Sequence, residues 1–191
     1  MLRSVLIVAA ALVLCGGAAV GQDVSGSRPT AGASGRTTPA TDIETLRVAA
    51  ARNEPWAQYD LAVALACGRG VTRNRAEAAA WFSRAAEQGH TQAQGVLGWM
   101  YMTGSGVRRD DVQALRWLRE AADKGNTAAQ NNLGIVHAQG RGVPVDRAEA
   151  EKWFRKAADQ GAADAARNLG ILLKGRDAAV RPSTEPPVYP G

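Results

Sequence analysis

The stretch AQGVLGWMYMTGSGVRRDDVQALRWLREAADKG (residues 93–125) decides the fold, because the same chain holds two near copies of it. One precedes it as AQYDLAVALACGRGVTRNRAEAAAWFSRAAEQG (57–89), and one follows as AQNNLGIVHAQGRGVPVDRAEAEKWFRKAADQG (129–161). The offset is 36 residues each time. Leu recurs at Leu61, Leu97, Leu133 and Leu169, followed by Ala62, Gly98, Gly134 and Gly170. A Gly-x-Gly-Val block recurs at 68–71, 104–107 and 140–143, and Trp at Trp81, Trp117 and Trp153. A fixed period of this length marks a solenoid, in which each unit buries a face that it could not bury alone.

Each unit reads as two helices. The first spans about 57–67, with Tyr59, Leu61 and Leu65 as its larger apolar side chains, and Gly68 and Gly70 stop it. The second opens on a capping box: Asn74, Asp110 and Asp146 stand three residues before Glu77, Gln113 and Glu149. Ala78, Trp81, Phe82 and Ala85 then form one apolar stripe, and Gly89 suits the left-handed residue past its end. The small residues Ala57, Ala62, Ala78, Ala85 and Ala86 let helix axes approach, while Trp81 and Phe82 fill the space between layers.

The pattern runs past the three full units. Shifted by one period, Ala85, Ala86 and Gly89 fall on Ala49, Ala50 and Asn53, with Thr41 and Glu44 as a capping box. Residues 41–53 therefore read as a second helix without its first, and 165–174 as a first helix without its second. The expected fold is all-α: an α-solenoid of eight helices over 41–175. It holds full repeats at 57–92, 93–128 and 129–164 between half-repeats at 41–56 and 165–175, which act as end caps.

The columns Ala-Gln-x-x-Leu-Gly, Gly-x-Gly-Val, Ala-x-x-Trp-Phe and Ala-Ala-x-x-Gly resemble the Sel-one-like repeat, a relative of the tetratricopeptide repeat. The resemblance covers 41–174 and implies a right-handed α-superhelix whose inner face binds proteins or peptides. Bacterial members are typically exported scaffolds or adaptors. Ala62, where the family prefers Gly, and His137, where it has an aromatic such as Tyr101, depart from the pattern without threatening the fold. By analogy with tetratricopeptide arrays, the first helices line the inner face. The third, seventh, tenth and eleventh columns of each unit should be exposed there, presenting Tyr59, Trp99, Met102, Thr103, Asn131, Gln139 and Arg167. Aromatic anchors beside amide and Arg donors suit a peptide groove. The plainer reading of Trp99 is packing against a neighbouring helix, since Val63, Ile135 and Ile171 share its column.

The ends read differently from the middle. Residues 1–21 hold one charge, Arg3, and an apolar run over 5–14 before small residues, which describes a signal peptide. An uncleaved anchor is the alternative, as is lipidation at Cys15, although Leu14 is large for the position before such a Cys. Residues 22–40 are a disordered Ser/Gly/Thr/Pro-rich linker, and 176–191 a disordered Pro-rich tail. The chain is thus expected to cross the inner membrane into the periplasm. Loss of 1–21 would leave Cys67 as a lone thiol, either buried or, beside Arg69 and Arg73, reactive.

Composition excludes several chemistries. The 191 residues are 46% hydrophobic and 21% charged, with two Cys and two His, which excludes a disulfide scaffold and a four-Cys metal site. The Gly-x-Gly-Val blocks lack the Lys-Ser/Thr and the strand of a phosphate loop. His90 falls in a loop between units and is expected in solvent; His137, beside Leu133-Gly134-Ile135-Val136, is expected to be packed. No catalytic residue, cofactor or metal is implied. The net charge of +5 is interleaved, as where Arg108, Arg109, Arg116 and Arg119 meet Asp110, Asp111 and Glu120. Nucleic acid is therefore not expected, and anionic envelope polymers or lipid surfaces stay open. The leading expectation is an exported, non-catalytic adaptor holding a peptide or helix of a cell-envelope protein. Alternatives are an enzyme on cell-wall or β-lactam-type substrates, whose repeat relatives look Cys-rich, and a membrane-tethered structural spacer.

Overall fold

The computed structural model describes residues 43–180, with side chains up to 175. The signal-peptide, linker and Cys15 expectations, the cap at Thr41, and tail residues 181–191 lie outside the described residues. Among those described there are eight helices and no strand: α1 (Ile43–Ala51), α2 (Pro55–Cys67), α3 (Arg75–Glu87), α4 (Thr91–Thr103), α5 (Asp111–Asp123), α6 (Thr127–Gln139), α7 (Arg147–Asp159) and α8 (Ala163–Val180). Each packs on its neighbours in sequence, as an α-solenoid requires. The last helix runs past Gly175 to Val180, beyond the boundary at 175 set by the repeat. The residues Arg176, Asp177, Ala178 and Ala179 offer no helix breaker before Pro182.

Caps set the helix ends. Asn74 accepts from the Glu77 N–H at 3.1 Å, Asp146 from the Glu149 N–H at 2.9 Å, and Asp110 from the N–H groups of both Val112 and Gln113 at 3.0 Å. Asn53 turns the chain out of α1 at φ 66°. Asn tolerates that left-handed geometry where later units use Gly.

The core is a set of columns. Ala57, Ala93 and Ala129 are fully buried, as are Ala78, Ala114 and Ala150. Phe82, Leu118 and Phe154 occupy one column of the second helices and are fully buried too. Leu118 and Phe154 press on Gly98 and Gly134. A Cβ at Gly134 would lie 2.5 Å from the Phe154 ring, and one at Gly98 2.7 Å from Leu118 Cγ. Trp81 is half-buried, with the Arg84 guanidinium 4.4 Å from its ring centroid.

Two devices join successive units. The second glycine of each Gly-x-Gly block seats its loop against the start of the preceding second helix: Gly70 on Ile43, Gly106 on the Arg75 backbone and Gly142 on Asp111. Gly106 combines that close approach with φ +78°, so a side chain there meets both strain and backbone. The other device is a buried glutamine. Gln58, Gln94 and Gln130 donate to the carbonyls of Ala50, Ala86 and Ala122 at 3.4, 3.1 and 3.1 Å. Their side-chain oxygens accept from Gln88 at 2.7 Å, Lys124 at 3.0 Å and Gln160 at 2.7 Å. Each clamp satisfies a carbonyl at the end of one second helix from within the next unit.

Candidate functional site: the inner face

Neighbouring first helices touch directly, α4 with α6 and α6 with α8, whereas the second helices make their main contacts with first helices. The first helices are therefore the more closely packed layer. This places the candidate residues, but not all on open surface.

Tyr59 is half-buried. Its ring stacks on His90 at 4.7 Å and meets Phe82 edge-on at 5.6 Å. Burial and then the charge of Asp60 raise its hydroxyl pKa above the ordinary value. Trp99 is half-buried against two apolar clusters, and its Nε1 is buried with no hydrogen-bond partner among the described residues. Thr103 is exposed, but its hydroxyl donates to the Trp99 carbonyl at 2.9 Å. Gln139 is exposed; Arg167 is exposed and pairs with Asp164 at 3.1 Å.

Two of the seven are buried outright, against the expectation of exposure. Met102 is 1% exposed and belongs to the cluster of Ala114, Leu118 and Val136. Its long apolar side chain reaches into that core where Ala66 and Ala138 of the same column stop short. Asn131 is 8% exposed and accepts from Asn168 Nδ2 at 3.0 Å, so the tight approach of α8 to α6 turns it into a link between helices. The exposed remainder of the set is Thr103, Gln139 and Arg167, beside the half-buried rings of Tyr59 and Trp99.

His90 is not simply in solvent. It is the N-cap of α4: its Nδ1 accepts from the Ala93 N–H at 3.2 Å, and the Tyr59 ring covers it. Burial lowers its pKa, with a backbone hydrogen bond opposing. Asn126 fills the same place at the start of α6, which is the signal that identifies the role. His137 is packed, 8% exposed, and neither ring nitrogen has a hydrogen-bond partner among the described residues. Cys67 is the half-buried last residue of α2, directly before the Gly68 cap. Among the described residues no group of three His, Cys, Asp or Glu side chains could hold a metal ion, and no helix is long and apolar enough to cross a membrane.

The repeats match a family model described as the Sel1 repeat at residues 57–90, 91–126 and 127–161, together more than half of the chain. No curated protein sequence matches significantly. Among solved structures, the chain is similar to a Sel1 repeat protein from Oxalobacter formigenes, with 30% identity and a TM-score of 0.64 over 68% of this chain and 53% of that one. It is also similar to c5321, a protective antigen of uropathogenic Escherichia coli strains displaying an SLR fold, with 43% identity and a TM-score of 0.66 over 70% of this chain and 29% of that one. It thus spans about half of the first relative's length and less of the second's. Cysteine rich protein B of Helicobacter pylori shares the fold, with 24% identity and a TM-score of 0.51 over 69% of this chain and 98% of that one. Three matched repeats, laid out as layered helix pairs in register, establish that the chain belongs to the Sel1 repeat family.

Proposed function

We propose that this chain is an exported, non-catalytic scaffold that holds an extended peptide or helix of a cell-envelope protein against its inner face, in the periplasm. Sel1 repeat proteins are generally protein-interaction scaffolds, which supports the broad class. The observation that carries the finer reading is Trp99. A half-buried indole, packed on one side against two apolar clusters, offers a fixed apolar anchor at the surface of the first-helix layer. An extended peptide supplies carbonyl acceptors in its backbone, and Gln139 and Arg167 add exposed polar donors. The apolar run over 5–14 supports export.

The test is crosslinking and pull-down from intact cells, with the mature N-terminus read by mass spectrometry. The double variant W99A/R167A should lose the captured protein while keeping its helical circular-dichroism signal. Capture that survives in a folded double variant refutes the inner-face assignment.

A further inference from the structure

We propose a second binding surface: the edge formed by the hairpin tips docks onto anionic phospholipid headgroups. The seating of Gly70, Gly106 and Gly142 on the starts of α1, α3 and α5 lays the three tips in one continuous row. That row exposes Arg73, Arg75, Arg108 and Arg147, and none of the four has an ion-pair or hydrogen-bond partner among the described residues. The acidic side chains beside them are occupied. Asp110 and Asp146 accept backbone N–H groups as caps, and Asp111 is held by Arg109 at 2.7 Å. Glu77 accepts from Asn74 at 3.2 Å, and Glu149 pairs with Lys152 at 3.0 Å. The helices α3, α5 and α7 also start at this row and turn the positive ends of their dipoles toward it. The opposite edge mixes Glu87, Asp123 and Asp159 with Arg84, Lys124 and Lys156 at the ends of the same helices, and the helix dipoles turn their negative ends toward it.

Charge alone would fit any polyanion; the apolar side chains select a bilayer. The two most exposed large hydrophobic residues among those described are Val112, at 65%, and Val145, at 61%. Both lie in the arginine row: Val112 in the first turn of α5, and Val145 just before the cap Asp146. The seating of Gly142 on Asp111 brings the tip that carries Val145 next to the turn that carries Val112. Arginines around short exposed aliphatic side chains match the boundary between phosphates and acyl chains. A soluble acidic polymer would engage the arginines and leave the valines in water.

The test is sedimentation of the full chain with vesicles of phosphatidylcholine, with and without phosphatidylglycerol. The phosphatidylcholine arm measures any contribution of the apolar run over 5–14, and the phosphatidylglycerol increment is the readout. Binding should rise with phosphatidylglycerol and fall with added salt. The variant R75E/R108E/R147E should lose at least about a hundredfold of the increment, at roughly fivefold per arginine removed, with repulsion from the new glutamates adding to the loss. Two of its changes put Glu at the first position of a helix, where a negative charge is favourable, so the variant should keep its helical signal. V112Q/V145S should weaken binding severalfold without changing its salt dependence, and W99A/R167A should bind like the parent. Equal binding to both vesicle types, or full binding by the folded triple variant, overturns the proposal. So does capture of polyglutamate as strong as that of phosphatidylglycerol vesicles together with indifference to the valine changes, which would make the edge a site for acidic polymers.

Discussion

The glycine column of the first helices offers a sharp test of how the layers pack. At Gly134 an added Cβ would sit 2.5 Å from both Cδ1 and Cε1 of Phe154, a ring that is itself fully buried. At Gly170, one period later, an added Cβ would meet nothing within 4 Å, because no second helix follows α8 among the described residues. Both positions lie inside helices, so Gly→Ala carries the same propensity gain of roughly 0.5–1 kcal/mol. At Gly134 that gain is set against overpacking, which costs about 1–3 kcal/mol where neighbours cannot yield. The net expectation is a loss of about 1–2 kcal/mol for G134A and a gain of up to about 1 kcal/mol for G170A. For a chain of this size that is a fall of roughly 2–8 °C in Tm against a rise of up to about 4 °C. Thermal unfolding followed by circular dichroism at fixed protein concentration reads both. A G134A chain as stable as the parent would show that the α6–α7 contact relaxes freely and would refute the close-packing account.

Two further outcomes rest on polar contacts. Q130L keeps volume but strips the clamp, leaving the Ala122 carbonyl and the Gln160 amide without their partner; denaturant unfolding should show a loss of about 1–3 kcal/mol. His90 should make stability pH-dependent. Its folded pKa is lowered by burial, so the unfolded chain takes up the proton first, near the ordinary value of about 6.5. Its contribution is present above that value and is lost as pH falls from there through the lowered folded pKa. Urea midpoints between mild alkali and mild acid should follow this, and H90N, which restores the cap that Asn126 provides one unit later, should flatten the acid side.

Much of the fold is legible in the sequence because its determinants are local or periodic. Asn74, Asp110 and Asp146 cap helices through contacts two or three residues away, and Asn53 takes its left-handed turn for reasons internal to one residue. The Gln58, Gln94 and Gln130 column is equally regular, yet its role is not legible. A glutamine is ordinarily exposed, and these are buried only because a helix end of the preceding unit covers them. The inner face is the least legible part. Exposure there depends on how far neighbouring first helices close up, which a column number does not record. Met102 fills a space that Ala66 and Ala138 leave, and Asn131 is covered by Asn168. His90 was hidden for another reason: Asn126 performs the same capping with a different residue type, so the column shows no conserved letter within the chain.

The same devices distinguish the last junction of the stack from those before it. In a solenoid, stability is close to a sum of unit terms and junction terms. The units opened by α4 and α6 combine a buried glutamine, a side-chain cap on the first helix, and a second helix pressed on Gly98 or Gly134; α2 has the glutamine but no side-chain cap bond at Glu54. The last one has lost these in turn. Ala166 stands in the glutamine column, α8 starts without a side-chain cap bond among those described, and Gly170 meets no neighbour. The apolar core thins in parallel, from a cluster spanning α1 to α5 down to Ile135, Ala150 and Phe154 with Leu169 and Leu172 against them. The Asn131–Asn168 hydrogen bond then carries a larger share of what holds α8, and carries it where Arg167 stands exposed. A partner that engages Arg167 would therefore bind a terminal helix that lacks the glutamine clamp of the earlier units. Part of its binding free energy would go into fixing that helix, which lowers affinity while leaving specificity with the rigid anchor at Trp99.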